Sequence, residues 1–216
     1  MKKRLLLILP FLILLCAFTS TNNEPKVFVI GDSISMQYGS YLKKSLQGFF
    51  NYDRIKGNGQ DSKNVRKQLK LMEQNPNFKT DYLLINCGLH DIKHSTKTKT
   101  NQVSISDYKD NIKAIVASAK KLKTKLIWVT TTPVIDSIHN SKSNGFLRHT
   151  KNVDAYNKVA LEIMHRHNIP VIDLHTYTQK FDASIFVDHV HFNHEIREKQ
   201  ADFIAGALIQ INTYSK

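Results

Sequence analysis

Ser33, Asp188 and His191 are the residues of this 216-residue chain whose types and spacing could activate a nucleophile. A serine hydroxyl is too weakly acidic to attack a carbonyl unaided at neutral pH. It needs an adjacent base, and an imidazole held by a carboxylate is one. Ser33 stands in Gly31-Asp32-Ser33-Ile34-Ser35, directly after a β-rich apolar run. A sharp strand-to-helix turn there would expose the hydroxyl and point the first backbone N–H groups of the helix toward it, with Gly31 permitting the tight geometry. The plainer reading is that Asp32 or Ser33 only caps the following helix. In Asp188-His189-Val190-His191-Phe192 the carboxylate and the second imidazole are three residues apart, so a turn can lay them side by side. In Gly88-Leu89-His90-Asp91 a side-chain N–H could stabilise a developing oxyanion, or His90 could be a loop histidine with a hydrogen-bonding role. The turn 57–62 (Gly-Asn-Gly-Gln-Asp-Ser) can bring a glycine N–H close to a ligand, or be an ordinary turn.

The elements that must position these residues alternate between strand and helix. Residues 26–30, 52–55, 81–86, 125–131 and 169–174 read as short strands, most of them apolar. Residues 36–50, 62–74 (with Ser62 as the cap), 106–122, 152–167 and 194–211 carry helical spacing, while 93–102 and 136–149 read as loops. This alternation predicts an α/β fold, a three-layer α/β/α sandwich on a five-stranded parallel sheet with right-handed crossovers. In such sheets functional groups gather beyond the carboxyl ends of the strands, and three of the four segments directly follow a predicted strand. With 41% hydrophobic residues and only 8 Gly and 5 Pro, the chain is globular rather than disordered or low-complexity. Its length suits one domain, residues 24–216.

Taken together, the four segments resemble the SGNH/GDSL hydrolase family. Gly31-Asp32-Ser33 is similar to its first block, Gly59 to its second, Gly88-x-His90-Asp91 to its third and Asp188-x-x-His191 to its last, over residues 26–211. The resemblance implies a flavodoxin-like fold and a metal-free, cofactor-free esterase or lipase. By it, Ser33 is the nucleophile, His191 the general base and then acid, and Asp188 the residue that orients His191. It also implies an oxyanion hole built from the N–H groups of Ser33 and Gly59 and from His90. Gly57 is the alternative to Gly59, because the turn aligns either way. His90 stands where the family usually has Asn, and a neutral imidazole in the right tautomer can still donate one N–H. Asp32 and Arg148 are further candidate substrate contacts.

The first 23 residues have the make-up of an export signal. Lys2, Lys3 and Arg4 precede an apolar run of about 14 residues, short of the roughly 20 that span a bilayer, and residues 19–23 are polar. Cys16 in Leu14-Leu15-Cys16-Ala17 is similar to a lipoprotein signal, although Leu15 is larger than such a signal prefers. The expectation is a secreted, periplasmic or envelope-attached protein, touching membrane only through that anchor or a lipid. Without the signal, 28 basic residues face 18 acidic ones, a net of +10. Cys87 is left without a partner for a disulfide.

The basic residues are spread over helices and loops without a nucleic-acid motif, so no nucleic-acid partner is expected. Lys93, Lys97, Lys99, Lys142 and Arg148 fall in loops expected to rim the site, which favours an anionic glycan or envelope. His189, His191 and His194 lack the spacing of a zinc site, and no metal is expected. The reading is an exported serine esterase, with a carbohydrate O-acetyl ester as the preferred substrate. Two alternatives are a non-catalytic glycan- or envelope-binding relative and an acyltransferase that passes the acyl group to a sugar.

Overall fold

A computed structural model of the chain describes residues 24–142 and 145–214. The export signal and Cys16 lie outside the described residues. Five strands form the central sheet: β1 (Lys26–Ile30), β2 (Asn51–Arg54), β3 (Tyr82–Ile85), β5 (Lys125–Val129) and β7 (Val171–Ile172), in the order β2-β1-β3-β5-β7 and all parallel. The β3 strand (Tyr-Leu-Leu-Ile) is buried at every position, as a central strand covered on both faces must be. At the edge, β2 alternates exposed and half-buried residues.

The helices are α1 (Ser33–Ser45), α2 (Ser62–Glu73), α3 (Ile105–Lys121), α4 (Asp136–Lys142), α5 (Thr150–Arg166), α6 (Leu174–Thr178) and α7 (His194–Thr213). Right-handed crossovers put α1 on one face and α2, α3 and α5 on the other, since the chain moves outward from β1 to β2 and then back across the sheet. The packing agrees: α1 lies against α7, α2 against α3, and α3 against α5. Leu42, Ile112, Ile115, Ile204 and Leu208 of these helices are buried in one core with Ile30, Leu83 and Trp128 of the sheet. The strand order reverses between β1 and β3, which places a crevice beyond their carboxyl ends.

Several boundaries differ from the sequence expectations, each for a local reason. The α1 helix begins at Ser33 rather than 36, because Asp32 accepts a hydrogen bond from the Ile34 N–H (3.0 Å) and caps it. It ends at Ser45, before the left-handed Gly48. The cap of α2 is Asp61, which accepts from the Asn64 N–H; Ser62 is instead the first, buried helical residue. Only two residues of the expected strand 169–174 pair, because Asp173 accepts from the Thr176 N–H and turns the chain into α6.

The two expected loops hold a short antiparallel ribbon, β4 (His94–Ser95) against β6 (Phe146–Leu147), and the second also holds α4. Two-residue strands have no readable period. Among the described residues no helix is long and apolar enough to cross a membrane.

The loop after β2 lies directly on the β1–α1 turn. The Gly59 N–H donates to the Gly31 carbonyl at 2.8 Å, and a Cβ on Gly59 would sit 2.8 Å from that same oxygen. The Gly59→Ala variant should therefore lose about 1–3 kcal/mol of stability, as overpacked sites do. An unchanged urea midpoint would show that the loop moves aside freely.

Candidate active site

Ser33 opens α1 at the carboxyl end of β1, and the long connection after α6 returns Asp188 and His191 to it across 158 residues of sequence. His191 Nε2 lies 2.9 Å from Ser33 Oγ, and His191 Nδ1 lies 2.6 Å from Asp188 Oδ2. The other Asp188 oxygen accepts the backbone N–H groups of Val190 (2.7 Å) and His191 (2.8 Å). Partial burial works against the Asp188 charge, but the donations from His191 and Val190 prevail and hold its carboxyl at about 2. Asp188 is thus an acceptor at any ordinary pH. The proton on the imidazole sits on Nδ1, and the lone pair of Nε2 faces the serine. This geometry can deprotonate Ser33 as it attacks.

As the first helical residue, Ser33 has no carbonyl four residues earlier in the helix to receive its N–H. His90 follows β3 and is half-buried. Burial, then the charges of Lys93 and Arg148, pull it down to about 4, so it is an uncharged imidazole at neutral pH with one N–H to donate. Gly88 before it adopts φ +148°, and a side chain there would collide with the Thr131 hydroxyl.

Gly59, Asp32 and Arg148, together with the alternative Gly57, are placed differently from the sequence expectation. The Gly59 N–H, expected to face an oxyanion, is instead held by the Gly31 carbonyl (2.8 Å), because the two glycine backbones pack on each other. Gly57, the alternative, is exposed on a turn at φ +79°. Asp32, expected to touch substrate, is buried as the helix cap, and its second carboxylate oxygen has no partner among the described residues.

Arg148, expected on the rim, is only 3% exposed. Its Nε donates to the Leu89 carbonyl (2.6 Å) and its Nη1 to His139 Nε2 (2.8 Å), while its guanidinium lies over the Phe146 ring. Of the other predicted rim lysines, Lys97, Lys99 and Lys142 are exposed, whereas Lys93 is half-buried over Phe146.

The sequence reading missed two polar partners. Asp91 is fully buried and accepts the Ser62 N–H with both oxygens (3.0 and 3.1 Å) as well as the Ser62 hydroxyl, which itself accepts from Asn111 (2.8 Å). Its place beside His90 was the available signal. His139, inside an expected loop, had none. His189 stacks edge-on against His139, at 4.7 Å between ring centres. Cys87 is a buried free thiol, pushed well up by burial.

Residues 29–198 match the model of the GDSL-like lipase/acylhydrolase family. Solved structures with the same fold include a lipase/acylhydrolase from Enterococcus faecalis (18% identity, 86% of this chain and 96% of that one, TM-score 0.68). Two others are the acetyl xylan esterase AlAXEase (16%, 85% and 99%, TM-score 0.68) and an acetyl xylan esterase from Geobacillus stearothermophilus (17%, 86% and 93%, TM-score 0.64). No curated protein sequence matches the chain.

Burial pushes the Asp91 carboxyl up to about 7, against the opposing donations of Ser62. A carboxyl raised in the folded state keeps its proton there after the unfolded chain has lost it. Its stabilising contribution is complete below about pH 4 and is lost as pH rises through 7. The melting temperature should therefore fall between pH 5 and pH 8 by more in the wild type than in Asp91→Asn. Equal slopes in calorimetry would mean that Asp91 titrates as an ordinary carboxylate.

Proposed function

The chain belongs to the GDSL-like lipase/acylhydrolase family of ester-hydrolysing enzymes, and we propose that it is an exported serine esterase that removes O-acetyl groups from a carbohydrate. The observation that carries this reading is the unbroken hydrogen-bonded line from Ser33 Oγ through both nitrogens of His191 to Asp188. As Ser33 Oγ bonds to the ester carbonyl carbon, its proton passes to His191 Nε2. Asp188 steadies the resulting imidazolium.

The carbonyl oxygen becomes an oxyanion, for which the Ser33 N–H and the His90 N–H are the donors in this reading. Collapse of the intermediate breaks the bond to the sugar oxygen, which leaves with the proton from Nε2. Water then repeats the sequence on the acyl-serine and releases the acid. Every proton taken by His191 is returned, so no cofactor is required.

Two observations favour a short acyl group on a sugar. Fold neighbours include two acetyl xylan esterases. Phe181 and Phe186, which could have served a long acyl chain, instead line a cavity of about 610 Å³ with Val134, Ile135 and Ile185, and its lining includes none of Ser33, His90, Asp188 or His191. The basic surface and the exposed Lys97, Lys99 and Lys142 suit an anionic polymer. The sequence of residues 1–23 supports export.

Residues 24–216 should hydrolyse p-nitrophenyl acetate faster than the octanoate, and Ser33→Ala should lower kcat on the order of 10⁴-fold or more. Equal rates in both proteins would turn the reading to a binding protein. Acetate release from acetylated glycans identifies the substrate class. On an anionic glycan KM should rise between 50 and 300 mM salt (roughly physiological strength on either side); a flat response would remove the charge from the account of substrate choice.

A further inference from the structure

Arg148 is a buried cation that makes no direct ion pair: among the described residues no Asp or Glu oxygen lies within ion-pair distance of it, and the buried Asp32 carboxyl reaches it only through its field. Burying a guanidinium on those terms is costly, and burial does lower its affinity for the proton, to about 10. It nevertheless keeps its charge at neutral pH, and its two bonds show what it does with its donors. Nε holds the Leu89 carbonyl at 2.6 Å, one peptide unit before His90, and Nη1 holds the neutral His139 at 2.8 Å. His139 is braced in turn, because the Asn140 side-chain oxygen lies 3.0 Å from its Nδ1 and also accepts the Arg148 backbone N–H at 3.0 Å. On the other side of His90, Asp91 grips Ser62 at the start of α2. His90 is therefore carried on a backbone pinned on both sides.

We propose that Arg148 is a positioning residue for the oxyanion hole, fixing the Leu89 carbonyl so that the His90 imidazole is held ready as a donor. This rests on the reading of His90 as an oxyanion donor. The geometry suits arginine alone: a planar fork reaches a carbonyl and an imidazole together, while a lysine ammonium reaches as a point charge. The charge has a second effect. The groups that face His90 are Lys93 and Arg148, which disfavour its protonation together with His191, and Asp61, which favours it. Arg148 thus helps to keep His90 neutral, with a single tautomer to be selected.

The test is a double-mutant cycle on p-nitrophenyl acetate with Arg148→Lys, Arg148→Met, His90→Ala and the Arg148–His90 double variants, with folding followed by circular dichroism and melting temperature. Displacing a group from its productive position costs roughly 10- to 100-fold. Each Arg148 variant should lower kcat by that factor with KM little changed, and should add no loss in the His90→Ala background. Arg148→Met should also raise the pH at which the His90 ring protonates in an NMR titration.

Losses that multiply in the double variants would overturn the proposal, because Arg148 would then act independently of His90. So would a folded Arg148→Lys with wild-type kcat. Should Arg148→Met fail to fold, the cycle with Arg148→Lys decides alone. An active Ser33 enzyme in which His90→Ala keeps its kcat would instead remove the donor role of His90, a failure of the underlying reading that this single variant identifies.

Discussion

The turn between β1 and α1 governs the rest of the site. Asp32 caps α1 through its Oδ1, and its carbonyl accepts the Ser35 hydroxyl (2.8 Å) and the Met36 N–H (3.1 Å). With that cap in place Ser33 is the first helical residue, so its N–H is left over by the helix and its hydroxyl projects beyond the sheet edge. The Gly59 backbone then locks onto Gly31 from the neighbouring loop. The imidazole that meets Ser33 is placed by a separate turn, in which Asp188 binds the backbone and the ring of the same residue. Two short-range devices therefore meet, and the sheet and the α1–α7 packing set the distance between them.

Beneath Ser33 and His191 lie two carboxyls and a guanidinium taken out of water: Asp32, Asp91 and Arg148. Burial raises both carboxyls and lowers the arginine, so each works against folding to the extent that it is charged. Among the described residues the buried Asp and Arg side chains gather at the carboxyl edge, the place where a site that trades stability for function is expected. Asp91 and Arg148 flank the His90 segment, while Asp32 holds the Ser33 turn. Each immobilises backbone beside Ser33 or His90, the kind of support that preorganised groups need.

Much of this was legible in the residues. The alternation of apolar runs with amphipathic segments implied the parallel sheet, because strands buried on both faces must be continuously apolar and must be joined by helices. The spacing of Asp188 and His191 implied their pairing, since three residues of one turn suffice to bring the groups together. Less legible were the short elements. The β4–β6 ribbon exists only because His94 and Ser95 find Leu147 and Phe146, more than 50 residues away, and α4 fills what read as loop.

What the sequence determined by itself was therefore whatever is settled within a few residues: the main strands and helices, the Asp188–His191 pair and the chemistry these types permit. The tertiary structure decided the partners across long separations. Arg148 looked like a surface cation and became a buried clamp on Leu89, and the Gly59 N–H met the Gly31 carbonyl instead of open space. Whether an N–H or a charge faces solvent or another backbone depends on which distant segment packs over it. That follows from the summed burial of the whole core, which no local pattern encodes.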